Sequence, residues 1–151
     1  MNIYQYIEEN PLKHFIASEN EIKSVKNKLL FFLGVDIPKK VRNFFVVCDG
    51  VYMDGFVIHS IDMVFQRTIY NIDLNLGEES KRLEVGKADD SFIYYNYVED
   101  VFELTEYNGL VLNTFETMFN VFDYFTDLIY NSDMKEEKTY EQLISDALEA
   151  I

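Results

Sequence analysis

The sequence holds one cysteine, two prolines, six glycines and no tryptophan. A single thiol excludes an internal disulfide and a zinc site built mainly from thiolates. No apolar run reaches the roughly 18 residues that a membrane-spanning helix needs. The stretch from Met1 to Glu9 has no basic region followed by an apolar one, so it does not read as a signal peptide. Together these absences place the expected site of action in the cytoplasm. Also missing is any Lys or Arg between Lys87 and Lys135, a span that carries ten carboxylates.

What is present argues for a folded core. Of 151 residues, 48% are hydrophobic, with 13 Phe and 11 Tyr, which excludes a disordered chain. The net charge of −14 is unevenly spread: residues 1–87 carry 12 acidic and 11 basic groups, residues 88–151 carry 15 and 2. Such a surface repels nucleic acid and anionic lipid and draws in basic proteins. Solubility alone is the plainer account of acidic charge. The one-sided distribution is what keeps a partner in view.

Periodicity then gives the elements. A short helix is expected over 2–9, ended ahead of Pro11. Ser18 with Glu21 reads as a capping box. Ile22, Val25, Leu29 and Phe32 follow at helical spacing, and Gly34 supplies the stop. Pro38 opens a second main helix with Val41, Phe44, Phe45 and Cys48 as its buried stripe, closed by Asp49-Gly50. Phe56 to Ile58 reads as a short strand, and Ile61, Val64, Phe65, Thr68 and Ile69 as a helix over about 60–72. Gly77 to Ser80 is a polar turn. Residues 82–112 read as an antiparallel meander: 82–86, 92–97, 101–105 and 110–112, the last two joined by the hairpin signal Asn108-Gly109. Phe102 and Leu104 share one face, leaving Glu103 to project to solvent. Asn113 with Glu116 resembles a second capping box, opening a Phe-rich helix over about 113–130. Its stripe is Phe115, Met118, Phe119, Phe122, Phe125 and Ile129. Residues 131–138 read as a linker, and a last helix turns Leu143, Ala147, Leu148 and Ile151 inward. The fold class is α+β: N-terminal helices, then an antiparallel meander of about four to six strands covered by the C-terminal helix.

The search for chemistry returns little. There is no G-x-S-x-G, Walker loop, H-E-x-x-H or G-x-G-x-x-G, and no catalytic residue, metal or cofactor is expected. His14, Cys48 and His59 lack metal-ligand or triad spacing. They read as a loop residue, a small buried apolar group and a strand-end residue. An atypical enzyme would need those three in mutual contact. Asp89-Asp90 and Glu99-Asp100 fall in expected hairpin turns, where Asp usually bonds its own backbone. Tyr94, Tyr95 and Tyr97 divide between core and solvated face, or serve as interface anchors.

The run from Ser18 through Leu33-Gly34-Val35-Asp36-Ile37-Pro38 to Cys48-Asp49-Gly50 resembles the opening of the SUKH (Smi/Knr-like) superfamily: a helix, an LG-x-x-[LI]-P turn and a helix ending in [N/D]-G. Val85-Gly86 and the strand–Asn-Gly–strand–Phe-rich-helix ending are also similar, so the resemblance spans roughly residues 15–130. The chain departs from the pattern at Val51, where a second Gly is common, and in lacking a sheet Trp. The resemblance implies a single SUKH-like domain over 1–151. It implies a non-catalytic bacterial immunity protein that binds and neutralises a cognate polymorphic toxin, or, as in a minority of members, a regulatory scaffold with an endogenous partner. Gly34, Pro38, Asp49 and Gly50 then read as structural. The expected partner is a basic, nuclease-type toxin domain, with no nucleic acid or membrane bound and the chain a monomer or weak homodimer. The residues expected to grip it are Asp89, Asp90, Glu99, Asp100, Glu103 and Glu106, with Tyr94, Tyr95 and Tyr97 as anchors.

Overall fold

A computed structural model of the chain describes residues 2–10, 16–73, 82–129 and 148. Helix α1 (Ile3–Glu9) begins where Asn2 and Gln5 exchange side-chain-to-backbone hydrogen bonds, and α2 (Glu19–Leu33) where Ser18 and Glu21 do the same. Gly34 ends α2 in the left-handed region at φ 68°, a conformation that costs a Cβ-bearing residue about 1–2 kcal/mol. Helix α3 (Lys39–Phe45) starts directly after Pro38 and buries Val41, Phe44 and Phe45. Cys48 is buried just past its end.

Six strands follow in chain order, each antiparallel to the next: β1 (Val51–Met53), β2 (Phe56–Ile58), β3 (Arg82–Ala88), β4 (Ser91–Asn96), β5 (Val101–Glu106) and β6 (Val111–Phe115). The α+β class and the meander are as expected. Strand β1 was not legible as such, although Asp54-Gly55 between β1 and β2 is the same kind of turn signal as Asn108-Gly109.

Helix α4 (Ile61–Asp73) connects β2 to β3. Along β3, strand β2 pairs with no more than Gly86 to Ala88. Beyond that point His59, between β2 and α4, donates its N–H to the Val85 carbonyl at 2.9 Å, and then the helix takes over, Thr68 Oγ1 accepting from the Glu84 N–H at 3.2 Å. Gly86 permits the approach of β2, because a Cβ there would lie 2.4 Å from the Val57 carbonyl oxygen.

Cross-strand partners share a face. Leu83, Tyr95, Phe102 and Phe115 align across β3 to β6 and look into the main core. A fifth helix, α5 (118–129), packs there. Phe125 stacks on Phe56 with ring centroids 4.6 Å apart, and Phe122 meets Tyr6 edge-on at 5.6 Å. Phe119 packs on Phe44 at 5.3 Å.

Three expectations are corrected. The capping box at Asn113 does not form: Asn113 and Thr114 pair with Leu104 and Glu103 in β6, because the ladder begun at the Asn-Gly turn continues past them. Thr117 caps α5 instead, its hydroxyl accepting from the Asn120 N–H at 3.1 Å. Phe115 is therefore a strand residue. Phe32 is not buried with its stripe but 60% exposed, resting against Phe65. Leu148, expected to face inward, is 67% exposed. The expected turn at 77–80, His14, the linker at 131–138 and the rest of the last helix lie outside the described residues. No helix among the described residues is long and apolar enough to cross a membrane.

Candidate functional site

The β-turns decide where the candidate acids go. Strand β4 has six residues, so its two ends stand about 17 Å apart at roughly 3.3 Å per residue. Asp89 and Asp90 turn the chain at one end, Glu99 and Asp100 at the other. Glu106 pairs with Ser91, next to Asp90. The Asp89 N–H donates to the Gly55 carbonyl at 3.2 Å, which brings the turn carrying Asp54 alongside. One end of the sheet therefore gathers Asp54, Asp89, Asp90 and Glu106. Tyr107, adjoining Glu106 in the β5–β6 turn, is 87% exposed. Lys87, one pair in from the turn, lies over the Phe92 ring at 5.9 Å, leaving this end net negative.

The opposite end is neutralised only in part, by one lysine set against Glu99, Asp100 and Glu116. Lys40 of α3 reaches the Asp100 carbonyl oxygen at 2.7 Å, its carboxylate at 3.4 Å and Glu116 at 3.3 Å. The Tyr95 hydroxyl donates to Asp100. That bond above all, with Lys40 adding to it, holds the Asp100 carboxyl below its ordinary value. Glu99 is placed by Asn96, whose Oδ1 accepts from the Val98 and Glu99 N–H groups at 2.9 and 3.2 Å.

The nine expected contact residues thus do not form one surface. Glu103 does not project to solvent. It is 7% exposed and accepts from Arg82 Nε at 2.9 Å and Asn96 Nδ2 at 3.2 Å. Tyr95 is buried and spent on Asp100. The Tyr97 hydroxyl donates to the Asp36 carbonyl at 2.7 Å, tying β4 to the turn before α3. Burial raises both of these phenols above their ordinary range. Tyr94 is half-buried and stacks on Phe92. Asp89, Asp90 and Glu106 remain at the acidic end, joined by Asp54 and Tyr107, which the sequence analysis did not select. Their signal was Asp54-Gly55 and Asn108-Gly109, two turns of similar chemistry that an antiparallel meander sends to the same end.

The second face of the sheet carries a polar row that the sequence analysis also missed. Glu84, Tyr94, Glu103 and Thr114 align across β3 to β6. Glu84, 1% exposed, lies 2.7 Å from His59 Nε2 and 2.9 Å from Arg67 Nε. Two buried carboxylates thus flank Tyr94, each held by an arginine. Alternation in Arg82-Leu83-Glu84 places Glu84 on the non-core face correctly. Its burial comes from α4, through Thr68 and Arg67, which no local pattern in β3 announces.

The nucleophile and metal alternatives can be placed in part. Burial, with the Asp49 carboxylate adding to it, pushes the Cys48 thiol up to about 11, and the thiol donates to the Gly50 carbonyl at 3.2 Å. A thiol so protonated is a poor nucleophile. Asp49 Oδ1 accepts from the Ile61 N–H at 2.8 Å, so it starts α4; Gly50 follows at φ 102°. Among the described residues no three His, Cys, Asp or Glu side chains are grouped to hold a metal ion. No family model matches the chain, and no curated protein matches it either.

Proposed function

We propose that the chain is a non-catalytic immunity protein that acts in the cytoplasm by capturing a basic, nuclease-type toxin domain. The observation that carries this reading is the placement of Asp54, Asp89, Asp90 and Glu106, with exposed Tyr107, at the same end of the sheet. A nuclease must hold phosphates, so its cleft is basic. A sheet end that carries four carboxylates and an exposed aromatic side chain fits such a cleft as a substrate decoy. The carboxylates steer encounter, and the aromatic side chain supplies the buried contact on which affinity depends. The motif resemblance to the SUKH superfamily supports the same reading. So does the commitment of the two buried carboxylates to arginine partners, Glu84 with Arg67 and Glu103 with Arg82.

The test is co-expression with the toxin-like reading frame encoded beside this one. The expected result is rescued growth together with a complex that survives purification. The absence of both rescue and complex would overturn the proposal. A growth defect on deleting the gene in cells without any toxin would instead assign a regulatory scaffold with an endogenous partner.

A further inference from the structure

Charge in this acidic chain is segregated, and one concavity runs against the trend. Between α2, the turn at 34–38 and α3 lies a cleft of about 510 Å³. Lys23, Lys26, Lys39 and Arg42 line it, above apolar walls that include Ile22, Ile37 and Val46. Lys23 and Lys26 stand three apart on α2, and Lys39 and Arg42 three apart on α3, the spacing that puts both members of a pair on one helix face. Glu19 and Asp36 also line the cleft. Asp36 is already committed, its Oδ2 3.5 Å from Lys26 and its Oδ1 accepting from the Ile37 N–H at 2.7 Å. Lys23, Lys39 and Arg42 form no ion pair among the described residues. Three cations that form no ion pair among the described residues therefore line one concavity, which keeps an excess of positive charge over Glu19 and Asp36, in a molecule whose net charge is −14.

We propose that this cleft binds a small phosphate monoester, with the phosphate between Lys23 on α2 and Lys39 and Arg42 on α3, and the apolar body against Ile22, Ile37 and Val46. The volume lies within the roughly 300–1,000 Å³ range of small-molecule sites, which combine apolar walls with a few convergent polar groups. A phosphate dianion matches several ammonium and guanidinium donors at once. The acidic remainder of the molecule repels a long polyanion and so restricts the site to a small one. This site lies on the helical side of the molecule and stands independently of toxin capture.

Calorimetric titration of the full chain with adenosine 5′-monophosphate, inorganic phosphate and adenosine tests the proposal. The monophosphate should bind, and adenosine should bind at least about tenfold more weakly, the loss of a charge-assisted contact. Monophosphate binding tighter than inorganic phosphate supports the monoester; equal binding would assign the site to free phosphate and overturn it. Lys39→Gln with Arg42→Gln should weaken the monophosphate by about tenfold or more. Lys87→Gln, outside the cleft, should leave it unchanged, and circular dichroism should show all variants folded. No binding of either phosphate, equal binding of adenosine and its monophosphate, or indifference to the α3 double substitution would overturn the assignment.

Discussion

His59 Nε2 lies 2.7 Å from Glu84 Oε2, and the carboxylate that joins them is 1% exposed. Arg67 Nε donates to the same Glu84 oxygen from 2.9 Å. Removing one member of a buried charge pair strands the other. Glu84→Ala should therefore destabilise the fold by about 3 kcal/mol, the low end for such losses because Arg67 is partly exposed and can turn toward water. Urea denaturation measures it, and a loss near zero would mean that α4 is not held to β3 by this pair.

A second prediction concerns Thr105. Its hydroxyl is buried on the second face of the sheet and has no hydrogen-bond partner among the described residues. Thr105→Val keeps the shape and removes the orphaned group, so it should stabilise by about 1 kcal/mol. Destabilisation in the same denaturation assay would show that the hydroxyl serves an interaction.

Asp49 gives a pH dependence with a definite sign. Burial raises its carboxyl above 3.8, against the pull of the Ile61 N–H, and the Glu21 and Asp62 charges add to the rise. The folded protein therefore holds the acid proton more tightly than the unfolded chain. That stabilising share is complete below the unfolded value and is lost as pH rises through the raised folded value. Asp49→Asn keeps an acceptor for Ile61 without the charge, so it should gain on the parent chain between about pH 3 and pH 7. Asp49→Ala loses the helix cap and should cost about 1 kcal/mol. Thermal melts of all three at both pH values check the trend; a parent–Asn difference that does not change with pH would contradict it.

The two ends of the sheet should respond differently to charge reversal. Asp54→Lys with Asp90→Lys should slow capture of the basic partner by about tenfold and flatten its salt dependence. Glu99→Lys, about 17 Å away along β4, should change the rate much less at physiological ionic strength, where screening acts over roughly 8 Å. Stopped-flow association across a salt series separates the two, and equal effects would deny the acidic end its role.

Two glycines should differ sharply on gaining a methyl group. Gly34→Ala meets nothing within 4 Å and should cost only the left-handed penalty of about 1–2 kcal/mol. Gly86→Ala drives a carbon to 2.4 Å from the Val57 carbonyl oxygen and should cost about 3 kcal/mol or more, since β2 must move away. Comparable denaturation midpoints would contradict the close approach of β2 to β3.

Local signals carried much of this architecture. The Ser18–Glu21 box, the Gly34 stop, the Asn108-Gly109 hairpin and the alternation through β3 to β5 are each short-range chemistry that acts whatever the rest of the chain does. For the same reason the acids at 89–90 and 99–100 were placed in turns correctly. Cap spacing misled where two local signals competed: Asn113 and Glu116 have that spacing, but the β5–β6 ladder claimed Asn113, Thr114 and Phe115 first.

Which polar groups reach solvent was decided by packing between distant segments. Glu103, Glu84 and Tyr95 look exposed or equivocal along the strand, and burial comes from partners 7 to 25 positions away or from the opposite face of the core. Alternation states which face a side chain takes, and it is silent on whether a helix later covers that face. The amino-acid order alone therefore settled five of the six strands in outline, the turns at 89–90, 99–100 and 108–109, and the net charge; only the folded arrangement parted the carboxylates into one partly neutralised end and one free end. The physical reason is that successive antiparallel turns must alternate between the two ends of a sheet.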